Sequence, residues 1–314
     1  MKKNTNEKSN IPESFGYSLK HITKDDIEEK LPPDKREIAM KKRRNIISRI
    51  LLVIFSCIFI WSAYSIASKL IQYKKSEDFY NGLISDFEDN EKLLAADNGD
   101  SPTPKFGSGY QGDSSSYNRI FLRMKKRLEE LQKINPDVCG WIIIPGTKHI
   151  NYPLLQSTDN SYYLNHEYKG GYLAAGSIFV DYNCDRDFNG NHNTVIYGHN
   201  MQNGMMFSEL IDYLDESFFR ENEYIYIYTM QGVYTYRVFS VYKTDYRYKY
   251  IQTYFADHSE FVEFAKEMQA NSMYFRDGIA FDENSRIVTL STCTNARQTD
   301  RYTVHALLTE AYNE

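Results

Sequence analysis

Residues 286–293 read RIVTLSTC, an apolar and β-branched run that leads into the polar segment TNARQTD. This composition and length favour a β-strand. Six further stretches have the same character: VCGWIII (138–144), GSIFV (176–180), TVIYG (194–198), EYIYIYT (223–229), VYTYRVFSVY (233–242) and RYTVHALLT (301–309). Helices are predicted at about 120–134 and 258–272, too few to cover a parallel sheet on both faces. The sequence therefore predicts a mostly β fold, a closed and mostly antiparallel barrel with N-terminal and inserted helices.

A separate apolar segment precedes this region. Residues 50–68 are 19 residues without a charge, and at about 1.5 Å per residue they nearly span a hydrocarbon core of about 30 Å. The basic run KKRR at 41–44 lies just before them, so the positive-inside rule predicts a cytoplasmic N-terminus. A cleaved signal peptide fits less well, because about 45 residues is too long an n-region and no clear cleavage site closes the run. A single transmembrane helix is predicted, with the barrel outside the cell.

Four parts follow from this pattern: a cytoplasmic tail at 1–45, a transmembrane anchor at 46–70, a helical stalk and flexible linker at 71–117, and the β-barrel domain at 118–314. The linker assignment depends on residues 97–117, which are rich in Gly, Ser, Pro and Asp. The net charge of the chain is −5, which argues against a general nucleic-acid binder. We therefore expect contact with a membrane through residues 46–70 and no nucleic-acid partner.

The four cysteines form no CxxC pair, which excludes a zinc knuckle and a thioredoxin-type redox motif. They are predicted to be free thiols. Cys293 ends its strand and opens into a polar loop, where a substrate could reach it. A lone cysteine is more often a small buried apolar residue, so the segment alone leaves both interpretations open.

Two other residues are candidates for chemistry with Cys293. His199 follows a strand in VIYGHN, at a turn where an imidazole can act as general acid or base. Arg301 begins the strand after the cysteine, and a guanidinium there could bind an oxyanion. Arg297, in the loop directly after the thiol, is an alternative to Arg301. His305 lies about 13 Å further along the strand from Arg301, too far to join the group.

A metal site is also conceivable at residues 185–190, because DRDFNG copies the start of an EF-hand loop, D-x-D-x-N-G. The twelfth position is Ile196 instead of a bidentate glutamate, and no flanking helix is evident. The segment is predicted to be a polar turn. We expect neither a metal nor another cofactor.

Taken together, these segments resemble the class B sortases of Gram-positive bacteria over about residues 118–309. The resemblance is carried by WIIIPGTKHINYPLLQSTDNSYYLNHEYKG (141–170), SIFVDYNCDRDF (177–188), NTVIYGHNMQNGMMFSEL (193–210), TLSTC (289–293) and the R-x-x-V-H pattern from Arg301. It implies Cys293 as nucleophile, His199 as general acid/base and Arg301 as oxyanion and substrate stabiliser. The pattern favours Arg301 over Arg297. The tail of some 45 residues is longer than the family leads one to expect.

The resemblance implies a membrane-anchored cysteine transpeptidase with a sortase catalytic barrel. Such an enzyme cleaves a C-terminal sorting-signal pentapeptide of secreted proteins through a thioester. It then transfers them to a cell-wall amine, a peptidoglycan cross-bridge or its lipid-linked precursor. Three alternatives stay open: a surface cysteine peptidase with water as acceptor, a pilin-polymerising sortase, and a tethered binding barrel that uses its 27 tyrosines. A papain-like enzyme is disfavoured, because histidine here precedes cysteine in the chain.

Overall fold

The computed structural model describes residues 35–96, 114–293 and 299–313, and within them the side chains of 37–85, 118, 120–292 and 299–312. Most of the predicted cytoplasmic tail, most of the predicted linker and Arg297 therefore lie outside the described residues. So does the side chain of Cys293, whose backbone is described. The chain divides into two compact units, Met1–Ile66 and Ala67–Glu314.

The first unit contains the apolar segment. Helix α1 spans Lys35–Ala96, and the stretch Glu37–Ser85 is, among the described residues, the one helix that is long and apolar enough to cross a membrane. Its large apolar side chains are exposed, Trp61 at 72% for example. Exposed aromatic and aliphatic groups at this density are costly in water and favourable in lipid. The helix is consistent with the predicted single-pass anchor.

The second unit is built on a closed β-barrel, which confirms the predicted fold class. The described residues form eight strands: β1 Val138–Ile143, β2 Asn151–Leu155, β3 Ile178–Val180, β4 Asn193–Tyr197, β5 Tyr224–Tyr228, β6 Gly232–Asp245, β7 Ile287–Cys293 and β8 Asp300–Asn313. They close in the order β1-β2-β3-β4-β7-β8-β6-β5. The pairs β2–β3 and β4–β7 are parallel, and the other pairs are antiparallel.

Helices pack around this barrel. They are α2 Ser114–Ile134, α3 Glu216–Glu221 and α4 His258–Ala270, with short 3₁₀ turns at Tyr162–Leu164 and Ser208–Leu214. Helix α4 lies in the long crossover between β6 and β7 and is capped by Asp257, whose carboxylate accepts the backbone N–H of Glu260. Its buried residues Phe261, Phe264, Ala265 and Met268 lie on one side of the helix.

Of the eight described strands, β2 is the one that the composition did not predict, and its sequence NYPLL contains Pro153. A proline has no backbone N–H to donate to a neighbouring strand, which disfavours it inside a central strand. Here Pro153 pairs with Trp141 of β1, and the pairing of β2 with β3 begins only at Leu154. The missing donor is therefore tolerated. A second difference lies at α2, which begins at Ser114 and so includes the last four residues of the predicted linker.

Two hydrophobic clusters stabilise the unit. The larger one fills the barrel and contains Trp141 and Tyr152, and one face of α2 (Phe121, Met124, Leu128, Leu131) joins it. The smaller one lies under α4 and joins it to β6, β7 and β8; its members are Phe239, Tyr242, Tyr250, Phe261, Phe264, Ala265, Met268, Ile287 and Leu307. The strand end that carries Cys293 therefore belongs to a strand packed from more than one side.

A substitution at Gly140 tests how closely β1 and β5 pack. A Cβ at this position would lie 2.7 Å from the main-chain oxygen of Tyr228 on β5, so Gly140→Ala must push the two strands apart. We expect a loss of about 1–3 kcal/mol in the free energy of unfolding, measured by urea titration of the full chain in detergent. Gly82→Ala is the matched control: this exposed helical glycine has no atom within 4 Å of a new Cβ, so the change should stabilise by about 0.5–1 kcal/mol. Equal effects of the two changes would contradict this packing.

Candidate active site

The pairing of β7 with β8 sets the first relation in the candidate site. In this antiparallel register Thr289 pairs with His305 and Cys293 pairs with Arg301. Cys293 is the last residue of β7 and Arg301 the second residue of β8. The backbones of the two candidates therefore stand directly opposite each other. Directly paired residues are the closest neighbours across two strands.

The pairing of β4 with β7 adds the histidine. These strands run parallel, with Tyr197 paired to Ser291, and the backbone N–H of Gly198 donates to the carbonyl of Ser291 at 3.2 Å. His199 lies two residues beyond Tyr197, and Cys293 lies two residues beyond Ser291. Parallel neighbours end at the same edge of a sheet. The structure therefore brings the backbones of all three predicted residues to one end of the adjacent strands β4, β7 and β8.

The half-buried His199 is oriented by main-chain groups. Its Nε2 lies 2.6 Å from the carbonyl oxygen of Leu164, which can only accept, so Nε2 carries the hydrogen. The lone pair of the neutral ring is then on Nδ1. The carbonyl of His199 itself accepts the N–H of Phe207 at 2.9 Å, which pins the turn. A Cβ at Gly198 would lie 2.4 Å from Ile178 and 2.7 Å from Phe207, so glycine is required there.

Arg301 is partly buried and has defined contacts. Its Nη1 donates to the carbonyl of Asp300 at 2.9 Å, and its guanidinium lies 5.8 Å from the ring centroid of Tyr246. Asp245 stands close by at the end of β6. Hydrogen bonds from Arg247 hold the pKa of Asp245 at about 2, with a smaller contribution from Arg301. The cation therefore lies at a strand end that also carries an ionised carboxylate.

The other cysteines have no comparable setting. Cys57, Cys139 and Cys184 are free, as predicted. Burial raises the pKa of both Cys139 and Cys184 to about 12, which keeps these thiols protonated at neutral pH. A protonated thiol is a poor nucleophile. Cys57 lies in the apolar helix of the first unit. The assignment of Cys293 as the nucleophile stays a prediction. The choice of Arg301 over Arg297 stays a prediction as well.

His305 is fully buried and belongs to a structural network. Its Nδ1 lies 2.9 Å from the hydroxyl of Thr289, and its Nε2 lies 3.0 Å from Tyr242 and 3.3 Å from Thr303. Burial lowers the pKa of His305 to about 3, so the ring is neutral. On the same strand faces, the hydroxyl of Ser291 is 2.8 Å from that of Tyr250. This polar network joins β7 and β8 to the β6–β7 crossover below the candidate site.

The EF-hand-like segment forms a turn. The carboxylate of Asp185 accepts the backbone N–H groups of Asp187, Asn189 and Gly190. No group of three or more His, Cys, Asp or Glu residues in the described part of the chain is arranged to hold a metal ion.

The contact at the candidate site that the sequence did not predict is the hydrogen bond from His199 to the carbonyl of Leu164. A main-chain acceptor has no signature in the residue types.

Comparison with known proteins gives consistent matches. The family model of the Sortase domain matches residues 142–309. Sortase B of Staphylococcus aureus is 33% identical over 255 residues, 81% of this chain and 91% of the relative, and sortase B of Listeria monocytogenes is 36% identical over 192 residues, 61% and 76% respectively. The crystal structure of Clostridium perfringens sortase B is 35% identical and covers 58% of this chain and 99% of that one, with a TM-score of 0.55. The S. aureus sortase B–substrate complex is 35% identical, covers 62% and 92%, and has a TM-score of 0.57.

The buried His305 predicts a specific acid sensitivity. Its folded-state pKa of about 3 lies below its ordinary value of 6.5. Between these two pH values the unfolded chain binds a proton at this ring and the folded chain does not. The stability from the neutral ring is complete above pH 6.5 and is lost as the pH falls from there towards 3, by up to about 1.4 kcal/mol per pH unit. We expect His305→Gln to reduce the slope of unfolding free energy against pH in this window. Equal slopes in the two proteins would contradict the assignment.

Proposed function

The chain belongs to the sortase family, with class B members as its relatives, and on that premise we propose that Cys293, His199 and Arg301 catalyse its cysteine transpeptidation. The observation that carries the proposal is the strand register, in which β4 and β7 end and β8 begins at one edge of the sheet, next to these three residues. Cysteine, histidine and arginine supply the nucleophile, the proton carrier and the oxyanion donor that acyl transfer needs.

In the first half-reaction, Nδ1 of His199 takes the proton of the Cys293 thiol, and the resulting thiolate attacks a peptide carbonyl of the substrate. The carbonyl oxygen takes up negative charge, which Arg301 stabilises by donating hydrogen bonds. The C–N bond then breaks, and His199 gives a proton to the departing amine. The acyl group is left on sulfur as a thioester. With Nε2–H directed at Leu164, Nδ1 is the nitrogen of His199 through which we assign this proton transfer.

In the second half-reaction, an amine attacks the thioester carbonyl and His199 accepts its proton. The tetrahedral intermediate collapses, a new amide forms and the thiolate of Cys293 leaves. One amide is broken as another is made, and the thioester keeps the acyl group activated in between. No nucleotide hydrolysis is therefore needed for the exchange.

For this chain we infer a secreted protein with a C-terminal sorting-signal pentapeptide as acyl donor and a cell-wall amine as acceptor. Family resemblance suggests an Asn-Pro-x-Thr-like signal. The long apolar helix supports a single-pass anchor through residues 46–70, with the N-terminus in the cytoplasm and the barrel outside. Attachment to one surface raises the effective concentration of enzyme, emerging substrate and lipid-linked acceptor.

The decisive experiment incubates the full chain with a library of sorting-signal-like peptides, with and without a primary amine, and follows products by mass spectrometry. We expect an acyl adduct and, with the amine, a ligated peptide. Cys293→Ala should abolish both, while the control Cys57→Ala should behave as wild type. A cut but never ligated peptide would identify a hydrolase. An undiminished adduct in Cys293→Ala would mean that the nucleophile is another residue.

The arginine assignment has its own test in the same assay. Arg301→Ala should lower the acylation rate roughly 10²–10³-fold, as loss of one oxyanion donor commonly does. Arg297→Ala is the matched control, since it removes the same charge from the adjoining loop, and we expect a change of less than about tenfold. If Arg297→Ala proves the more damaging change, the roles of the two arginines must be exchanged.

A further inference from the structure

Residues 73–84 of α1 pack against the barrel in the unit Ala67–Glu314. Tyr73, Ser76, Tyr80 and Leu83 are spaced by three, four and three residues, which puts them on one face of the helix. Tyr80 is 1% exposed, and Arg127 of α2 donates to the carbonyl of Leu83. The sequence predicted a helical stalk here. The buried stripe makes this segment, which we term the docking segment (residues 73–84), part of the catalytic unit.

The hydroxyl of Tyr80 makes the specific contact. It donates to the carbonyl oxygen of Gly176 at 2.6 Å and lies 3.1 Å from the hydroxyl of Ser177. Its ring packs edge-on against Tyr152, with centroids 5.4 Å apart. Burial raises the pKa of Tyr80, so the hydroxyl keeps its proton and remains a donor. The docking segment is thus joined by a hydrogen bond to residues 176–177, just before β3.

Gly176 is in turn pressed against the peptide group of Leu164. Its φ is +57°, and a Cβ there would lie 2.6 Å from the Leu164 oxygen and 2.3 Å from the Tyr163 oxygen. Ser177 adds two bonds to the same segment, from its N–H to Tyr163 and from its hydroxyl to His166, both at 2.9 Å. A shift at residues 176–177 therefore moves the backbone of residues 163–166.

The Leu164 oxygen is the group that accepts Nε2–H of His199 at 2.6 Å. Three successive contacts hence connect α1 to the imidazole: Tyr80 with Gly176, Gly176 with Leu164, and Leu164 with His199. Each involves a main-chain group with little freedom of its own. The orientation of the imidazole depends on where this carbonyl points.

We propose that Tyr80 is a positioning residue for His199, acting through Gly176 and the Leu164 carbonyl to hold the imidazole in the Nε2–H tautomer. This inference rests on the proposed role of His199 in proton transfer. Tyr80 touches neither the imidazole nor the reacting atoms, so its effect falls on the rate of the chemical steps and not on substrate binding.

The test compares Tyr80→Phe with Tyr234→Phe in the full chain in detergent. Both changes remove a buried hydroxyl bonded to a main-chain carbonyl, and Tyr234 bonds to Asp187 and Asn189, outside the contacts that lead to His199. For peptide transfer to an amine, we expect Tyr80→Phe to lower kcat about three- to tenfold with KM changed less than about twofold. Tyr234→Phe should leave both constants within about twofold of wild type.

The second readout does not depend on activity. With ¹⁵N-labelled histidine, the signal absent from His199→Ala should show the Nε2–H tautomer in wild type and in Tyr234→Phe, at a pH where the ring is neutral. Tyr80→Phe should give a mixture of Nε2–H and Nδ1–H forms. If wild type transfers no peptide, the proposed function fails, and the tautomer comparison still tests the connection from Tyr80.

Gly176→Ala tests the next contact in the series. Its methyl group would lie 2.6 Å from the Leu164 oxygen and would displace that peptide group. We expect the same mixed tautomer and a lower kcat, and the double variant with Tyr80→Phe should show less than the product of the two losses. A Tyr80→Phe protein with wild-type kcat and a pure Nε2–H signal would overturn the proposal. A drop in melting temperature alone, without either change, would assign Tyr80 a purely structural role and overturn it equally.

Discussion

The parallel pairing of β4 with β7 is the constraint on which the candidate site depends. Two parallel neighbours must be connected by a long crossover, and the 89 residues at 198–286 form the connection that brings the ends of β4 and β7 to one edge of the sheet. The antiparallel pairing of β7 with β8 then adds the start of β8 to the same edge. Backbone hydrogen bonds fix this register along the whole strands. The positions of His199, Cys293 and Arg301 therefore follow from the barrel itself.

Buried polar contacts stabilise the strands that carry the candidate site. His305 is enclosed by Thr289, Thr303 and Tyr242, and its neutral ring joins β7, β8 and β6. Such a network is stable only if each member is satisfied, so it specifies one register where an apolar core would tolerate several. His305, four residues beyond Arg301 on β8, thus serves the fold, and its burial explains why it cannot serve as a proton carrier near neutral pH.

The helix that carries the apolar segment also contributes to the catalytic unit. Its residues 73–84 pack on the barrel through Tyr80 and Leu83, and Tyr80 lies twelve residues beyond the uncharged run that ends at Ser68. The docking segment lies just beyond the predicted membrane segment and packs as part of the catalytic unit. It supports the loop at residues 162–177, and this loop supplies the acceptor for His199.

Composition and periodicity are local properties of the chain, so they were enough to predict the strand-rich barrel, the apolar helix and the motifs around Cys293 and His199. Composition did not single out β2, which contains Pro153 and which pairs with β3 only from Leu154 onward. Tertiary structure alone decided which residues stand opposite one another and that a carbonyl orients the imidazole. The reason is physical: register and main-chain acceptors arise from contacts between distant segments, and every residue type carries the same carbonyl.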